Sequence, residues 1–133
     1  MRIFVDSSLL IAMQDEDDAR AATAVARWRD AASRGESLVT SNYVVVEATQ
    51  VAQRRWGLAA VSRLLGDVLA PVSVEWVSAE DHARAVDLML SAGRRDLSLV
   101  DCTSFELMRR LGIRECLAFD EHFAEQGFRV LGD

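Results

Sequence analysis

Apolar and polar residues alternate in blocks that predict a succession of short strands and longer helices. Ile3, Phe4 and Val5 are consecutive, as expected of a strand that is buried on both faces. This first strand covers residues 2–6 and ends at Asp6, shortly before a second apolar run. Four later segments also predict strands: SLVTSN (37–42), VSVEWV (72–77), ECLAF (115–119) and FRVL (128–131).

Between the strands, apolar residues recur at the three- and four-residue spacing of helices. Helices are predicted from about residue 8, within residues 14–35, and over residues 43–56, 58–69, 78–92 and 98–111. Ser78 is a favoured N-cap and Gly93 a favoured stop for the helix between them. The predicted buried face of that helix consists of Ala79, Ala83, Val86 and Leu90.

Strands that alternate with helices indicate an α/β fold with a mainly parallel sheet, because helices supply the crossovers that parallel strands need. The chain has 133 residues and no linker or repeat, so we expect one domain over residues 1–133. No uncharged stretch approaches the ~18 residues of a membrane helix. Asp6 interrupts the first apolar run, which argues against a signal peptide. We therefore expect a cytoplasmic location without membrane association.

The charged residues exclude several functional classes. All 15 basic residues are arginines, there is no lysine, and the net charge is −6. A P-loop needs a lysine, and so does a phosphoacceptor receiver domain, so both are excluded. An acidic protein is a poor general binder of phosphate backbones. A nucleic-acid role would therefore depend on local arginine patches or on bound metal.

Cysteine and histidine give little support for zinc or covalent chemistry. Cys102 and Cys116 form no C-x-x-C pair and are interpreted as buried free thiols. His82 and His122 lie in charged helical neighbourhoods and are expected at the surface. Because neither has an obvious nucleophile close by in sequence, a serine or cysteine triad is not indicated.

Four acidic residues lie where an open α/β sheet gathers its ligands, beyond the carboxyl ends of the strands. Asp6 ends the first strand and Asp120 follows ECLAF, whereas Glu47 and Asp101 interrupt apolar helical stretches. Each acid also has a purely structural interpretation. Asp6 and Asp120 could cap helices. Asp101 could be a first-turn acid favoured by the helix dipole, and Glu47 could lie on a solvated helix face.

Convergence of the four carboxylates would require cations. Like charges at close range repel and raise one another's pKa, so such a set persists when bound cations offset the charge. Oxygen ligands without histidine or cysteine select hard ions, which predicts Mg²⁺ or Mn²⁺ rather than zinc. These ions bind phosphate oxygens and activate water, and they supply positive potential inside an acidic protein.

The segments RIFVDSSLLIA, TSNYVVVEA, RDLSLVDCTSFELMRRLGI and CLAFDEHFAEQGFRVL, in this order, resemble the PIN-domain family. More narrowly, they resemble the VapC-type ribonuclease toxins of type II toxin–antitoxin systems. The resemblance spans the chain and implies a three-layer α/β/α fold with about five strands. It implies an endoribonuclease that hydrolyses RNA phosphodiester bonds by metal-activated water, with Mg²⁺ as cofactor and Mn²⁺ as a substitute. It also implies a cognate antitoxin protein as partner, and a homodimer.

The resemblance assigns roles to individual acids. The family's four acids fall on Asp6, Glu47, Asp101 and Asp120, which are expected to be catalytic and to bind metal. Asp6 and Asp101 are the expected direct ligands, and Asp120 is expected to act directly, through water or at a second metal.

Further residues are expected to support these acids or the substrate. Ser7 is expected to orient Asp6 or a metal-bound water. Asp96 could assist the site, although a structural role at the entry to the Asp101 helix is favoured. Arg94 and Arg95 are candidates to hold the RNA backbone, with a solvated basic pair as the alternative.

Two rival functions are considered. A haloacid-dehalogenase-like phosphatase also begins with a strand and an Asp. That family has a second Asp two residues later, where this chain has Ser8, and it uses a lysine. A catalytically inactive PIN scaffold that binds RNA or a protein partner is compatible with the fold. The intact set of four acids favours activity.

Overall fold

Five parallel strands form one sheet with helices on both sides, in a computed structural model that describes residues 1–132. Asp133, the last residue of the expected domain, lies outside the described residues. The strands are β1 (Arg2–Val5), β2 (Ser37–Ser41), β3 (Val72–Glu75), β4 (Glu115–Leu117) and β5 (Arg129–Val130). The helices are α1 (Ser7–Gln14), α2 (Ala21–Ser33), α3 (Asn42–Trp56), α4 (Leu58–Arg63), α5 (Ala79–Ala92), α6 (Leu99–Leu111) and α7 (His122–Glu125). A π-helical segment, Leu64–Val68, continues α4.

The strand order β3-β2-β1-β4-β5 makes β1 the central strand, paired with β2 on one side and β4 on the other. The chain therefore builds one half of the sheet outward from β1 and then returns to build the other half. In open α/β sheets, ligands bind at this switch point, beyond the carboxyl ends of the strands. The expected α/β fold with about five strands is confirmed, and all five strands are parallel.

An aromatic cluster fixes the second half of the chain to the sheet. Phe4 of β1 contacts Phe123 of α7, with ring centroids 6.3 Å apart. Phe105 of α6 meets Phe123 edge to face at 5.0 Å and stacks on Phe128 at 5.9 Å. Such pairs add to the stabilisation from burial alone. The cluster thereby holds the starts of α6 and α7 at the same edge of the sheet as the end of β1.

The buried face of α5 differs from the prediction. Asp81 and Ala85 face the interior, whereas Leu90, a member of the predicted face, is 70% exposed. Asp81 is buried because Arg84 and Arg110 donate hydrogen bonds to its two carboxylate oxygens, at 3.0 and 2.8 Å. The predicted buried face was wrong because it contained apolar residues only, whereas Asp81 can be buried once arginines pair with its charge.

Other sequence predictions have mixed outcomes. Cys102 and Cys116 are buried, as expected, and neither forms a disulfide within residues 1–132. β3 ends two residues earlier than predicted, because the backbone N–H of Val77 donates to Oδ1 of Asn42 at 2.8 Å instead of extending the sheet. Within residues 1–132, no helix combines the length and the apolar character needed to span a bilayer.

The Asp81 cluster generates a prediction about stability. Burial acts to raise the pKa of Asp81, but the hydrogen bonds from Arg110, Ser78 and Arg84 outweigh it and lower the pKa overall. Replacing Asp81 with Ala leaves Arg110 without its buried partner and removes one of the two hydrogen bonds of the capping box of α5, the one from the Ser78 N–H. We expect the free energy of unfolding in urea to fall by about 2 kcal/mol, because hydrogen bonds to a charged group are lost while the arginines remain accessible to water.

Asp87→Ala is the matched control, since Asp87 lies on the exposed side of the same helix. Its expected effect is within about 0.5 kcal/mol of zero. Equal unfolding free energies for Asp81→Ala and the wild type would contradict the assigned role of the buried ion pair.

Candidate active site

Asp6 lies at the centre of the carboxyl edge, immediately after β1. Its N–H donates to the carbonyl of Leu117 at 3.0 Å, which continues the pairing of β1 with β4. Its Oδ2 accepts hydrogen bonds from the N–H and the hydroxyl of Ser8, at 3.1 and 2.6 Å, so that Asp6 is the N-cap of α1. Its Oδ1 is buried and has no hydrogen-bond partner within residues 1–132. The capping interpretation is therefore correct but accounts for only one oxygen.

Burial raises the pKa of Asp6 to about 6, against the opposing hydrogen bonds from Ser8. The negative charges of Asp120 and Glu47 raise the pKa further. Two of the other predicted acids therefore lie within electrostatic range of Asp6. A buried carboxylate with an unpaired oxygen is costly unless a cation compensates it.

Asp101 occupies the first turn of α6 and faces the same place. Its N–H donates to Oγ of Ser98 at 3.0 Å, and its Oδ2 accepts from the N–H of Ser98 at 3.4 Å, which forms a capping box. Burial raises its pKa to about 7, with further contributions from the charges of Asp6 and Asp120. Asp101 is therefore both a helix-capping residue and a member of the carboxylate cluster.

Asp120 reaches the cluster from the segment between β4 and α7. Its Oδ1 accepts the N–H of His122 at 2.8 Å. The segment is tied to Asp6 through Ser8, because the Phe119 N–H donates to Oγ of Ser8 at 3.0 Å. Ligand atoms of Asp101, Asp120 and His122 all lie within 4.8 Å of one another, a spacing that permits a shared metal ion.

Glu47 approaches from α3, where its side chain is half-buried. The hydroxyl of Ser7 donates a hydrogen bond to its Oε1. The structure thus gives Ser7 to Glu47 and assigns the expected hydroxyl contact with Asp6 to Ser8. Both serines restrain a carboxylate through one oxygen.

His122 is the residue that the sequence interpretation missed. It was expected at the surface, yet it is only 6% exposed and lies against the acids. Its Nε2 is 3.2 Å from the carbonyl oxygen of Asp96 and 3.7 Å from Oδ1 of Asp120. Burial lowers the pKa of His122, but the contact with Glu125 and the charges of Asp120 and Asp96 outweigh it and raise the pKa overall. Its position two residues after Asp120 was the one available signal.

The two neighbouring arginines before α6 have different surroundings. Arg94 forms ion pairs within residues 1–132, whereas Arg95 does not. Arg94 donates to Glu125 at 2.6 Å and to Asp96 at 3.0 Å, which joins the segment before α6 to α7. The Asp96 side chain is exposed, consistent with the favoured structural role. Arg95 is exposed and makes no hydrogen bond or ion pair with residues 1–132. Arg95 is therefore the member of the pair that remains available to a ligand.

The donor set fits a hard divalent cation. Carboxylates from four different elements meet at one edge, and a buried oxygen of Asp6 lacks a protein partner. Oxygen donors of this kind are the ligands that Mg²⁺ and Mn²⁺ prefer. Asp101 and Asp120, whose ligand atoms lie within 4.8 Å of each other and of His122, could hold such an ion together with Asp6, on which the charges of Asp120 and Glu47 act.

Two cavities near these elements differ in character. The larger, about 490 Å³, lies at the far end of α1 from Asp6, and its lining includes four acids, among them Asp15 and Asp67. A smaller groove of about 300 Å³ borders Glu47 directly. The larger cavity is therefore not part of the carboxylate cluster, whereas the smaller groove continues from it.

Comparisons with known proteins agree with this geometry. The family model described as PIN domain matches residues 3–129. The 23S rRNA-specific endonuclease VapC20 of Mycobacterium tuberculosis, found in the H37Rv and CDC 1551 strains, is 38% identical over 127 residues, which is 95% of both chains. A crystal structure of Mycobacterium tuberculosis VapC20, described as a sarcin-ricin loop cleaving toxin, gives a TM-score of 0.82 at 37% identity and covers 95% of both chains.

The raised carboxyl pKa values predict how stability depends on pH. A carboxyl group with a raised pKa binds more protons in the folded than in the unfolded state, so stability falls as pH rises from about 4 to about 7. We expect Asp101→Asn to raise the melting temperature of the metal-free protein at pH 8 by roughly 3–6 °C, and by less at pH 5. Thermal unfolding in EDTA at both pH values measures this difference.

Asp87→Asn, on the exposed face of α5, is the control and should parallel the wild type at both pH values. If the melting temperature of Asp101→Asn also followed that of the wild type at both pH values, burial and mutual repulsion would not be raising the carboxyl pKa values as described above.

Proposed function

We propose that this chain, which belongs to the PIN-domain family and within it to the VapC-type toxins, is a Mg²⁺-dependent endoribonuclease for which Mn²⁺ can substitute. The observation that carries the proposal is the buried, unpartnered oxygen of Asp6 beside Asp101 and Asp120. The name of the 38% identical relative, a 23S rRNA-specific endonuclease, supports the same activity.

The chain's own residues would hold and orient the reacting groups. Asp6 and Asp101 are the proposed direct ligands, since the two are buried and electrostatically coupled. Glu47 and Asp120 complete the set from opposite sides of β1. When bound, Mg²⁺ or Mn²⁺ supplies the activated water and neutralises charge on the scissile phosphate and the departing oxygen.

Each proposed ligand is held in place by a hydrogen bond through one oxygen. Ser8 fixes Asp6, Ser98 fixes Asp101, and the backbone N–H of His122 fixes Asp120. The ligands are therefore oriented before any substrate arrives, which reduces reorganisation during the reaction. Asp96 and Arg94 would not contact the metal. They would instead fix the segment that contacts His122.

The proposed substrate is based on the name of the similar protein, and the proposed protein partners are supported by exposed apolar residues. We propose ribosomal RNA as the substrate class, because VapC20 is described as specific for 23S rRNA. A cognate antitoxin and a second copy of the chain are the proposed protein partners, and the cytoplasm the proposed location. Leu58 and Trp76, 71% and 72% exposed, supply apolar area on which a partner could pack.

Loss of a ligand acid should abolish RNA cleavage. We expect Asp6→Ala and Asp101→Asn to reduce cleavage of 23S rRNA by at least about 100-fold, because both remove a charge that holds the metal. Primer extension across the sarcin-ricin loop, with Mg²⁺ or with EDTA, measures the product. Asp87→Asn should cleave like the wild type.

Binding of the metal has an independent readout. MgCl₂ or MnCl₂ should raise the melting temperature of the wild type and not that of Asp101→Asn, since only the folded wild type offers the full site. A wild type that gains stability from metal but leaves every RNA intact would indicate the inactive scaffold. Undiminished cleavage by folded Asp6→Ala would refute the proposed catalytic site.

Arg95 and Arg94 should differ in their effects on RNA. Arg95→Ala should weaken RNA binding and reduce the slope of log affinity against log salt by about 1, because one phosphate contact is lost. Arg114→Ala is the control, since Arg114 is exposed and precedes β4 at the opposite edge of the sheet. Arg94→Ala should chiefly lower the melting temperature. An unchanged salt slope in Arg95→Ala would exclude Arg95 from the RNA interface.

A further inference from the structure

We propose that the groove beside Glu47 binds one unpaired nucleobase of the RNA, and that Asn42 and Gln50 determine which base is accepted. This inference rests on the proposed ribonuclease function. The groove has a volume of about 300 Å³ and is lined by Asn42, Tyr43, Val46, Glu47, Gln50 and Val100. A volume at the lower end of small-molecule sites suits a single base rather than a longer segment.

The groove is continuous with the carboxylate cluster. Glu47 belongs to both, because it lines the groove and its Oε1 accepts a hydrogen bond from the hydroxyl of Ser7, the residue that follows Asp6. Val100, which lines the groove from α6, directly precedes Asp101. An RNA strand whose phosphate lies at the acids would therefore bring an adjacent base to the mouth of this groove.

The side chains of the groove match the faces of a base. Val46, which is 57% exposed, and Val100 provide apolar surface on two helices. The Tyr43 ring provides an aromatic surface, and its hydroxyl lies 2.7 Å from Nδ1 of His82, which fixes the orientation of the ring. Single-stranded RNA is recognised by stacking of unpaired bases on such surfaces.

The polar groups of the groove match the edge of a base. Oδ1 of Asn42 accepts the N–H of Val77, so the amide is oriented and its NH₂ group remains as a donor. The Gln50 side chain is exposed and makes no hydrogen bond with residues 1–132. Side-chain amides form paired hydrogen bonds with the edges of bases. Two amides on one helix can therefore discriminate between bases.

The charge of the groove excludes the RNA backbone as its occupant. Glu47 is the one charged residue in the lining, and it is negative. A phosphate group would be repelled, whereas a neutral base would not. The backbone would instead lie outside the groove.

The first experiment compares cleavage specificity. The substrate is an RNA with a randomised segment, and the cut ends are sequenced for the wild type, Gln50→Ala and Gln53→Ala. We expect the wild type to prefer one base beside the cut, and Gln50→Ala to lose about tenfold of that preference through KM, with kcat on the preferred RNA little changed. Gln53, the same residue type on the exposed side of α3 and absent from the groove, should leave the preference intact.

The second experiment does not depend on cleavage. The four nucleoside 5′-monophosphates are titrated separately into the ¹⁵N-labelled protein. We expect at least one base to shift the side-chain amide signals of Asn42 and Gln50 but not that of Gln53, and the four bases to differ in affinity.

The outcomes separate this inference from the proposed function. A wild type that cuts no RNA but binds a base at Asn42 and Gln50 retains the subsite and refutes the ribonuclease. A wild type that cuts RNA with the same preference after Gln50→Ala refutes the subsite alone. If no monophosphate shifts the Asn42 and Gln50 signals, or if only a protein partner does so, the base-binding proposal is overturned.

Discussion

Burial of carboxylates against one another is the constraint on which this structure depends. Asp6 and Asp101 lie at the carboxyl edge of the sheet with their pKa values raised to about 6 and about 7. Oδ1 of Asp6 has no hydrogen-bond partner among residues 1–132. The fold holds these groups in place through its paired strands and aromatic cluster. A bound divalent cation would relieve this cost in stability, because it offsets the repulsion between the carboxylates.

A carboxylate can cap a helix through one oxygen and leave its other oxygen for a ligand. Asp6 caps α1 and Asp101 belongs to the capping box of α6. In both cases the cap uses Oδ2 and fixes the rotamer of the carboxylate. The second oxygen is then oriented by the helix start itself. Ser8 extends this arrangement, because its hydroxyl contacts both Asp6 and the backbone of Phe119.

The arginines differ in whether they form ion pairs within the protein or remain exposed. Arg110 and Arg84 stabilise a buried acid, and Arg94 clamps the segment before α6 to α7. Arg95 is left exposed beside the clamp. In a protein with a net charge of −6, affinity for RNA would then come from a few placed cations and from bound metal rather than from a general positive surface.

The sequence by itself determined the order of elements, the α/β class and the four acids, because strand and helix periodicities and the strand-then-acid pattern are local properties. The buried face of α5 was not predictable, since Asp81 is neutralised by Arg110, 29 residues away. For the same reason, only the tertiary structure assigned Ser7 to Glu47 and brought His122 close to Asp101. Those contacts join residues distant in the chain, and hydrogen bonding and burial between such residues exist only once the sheet is assembled.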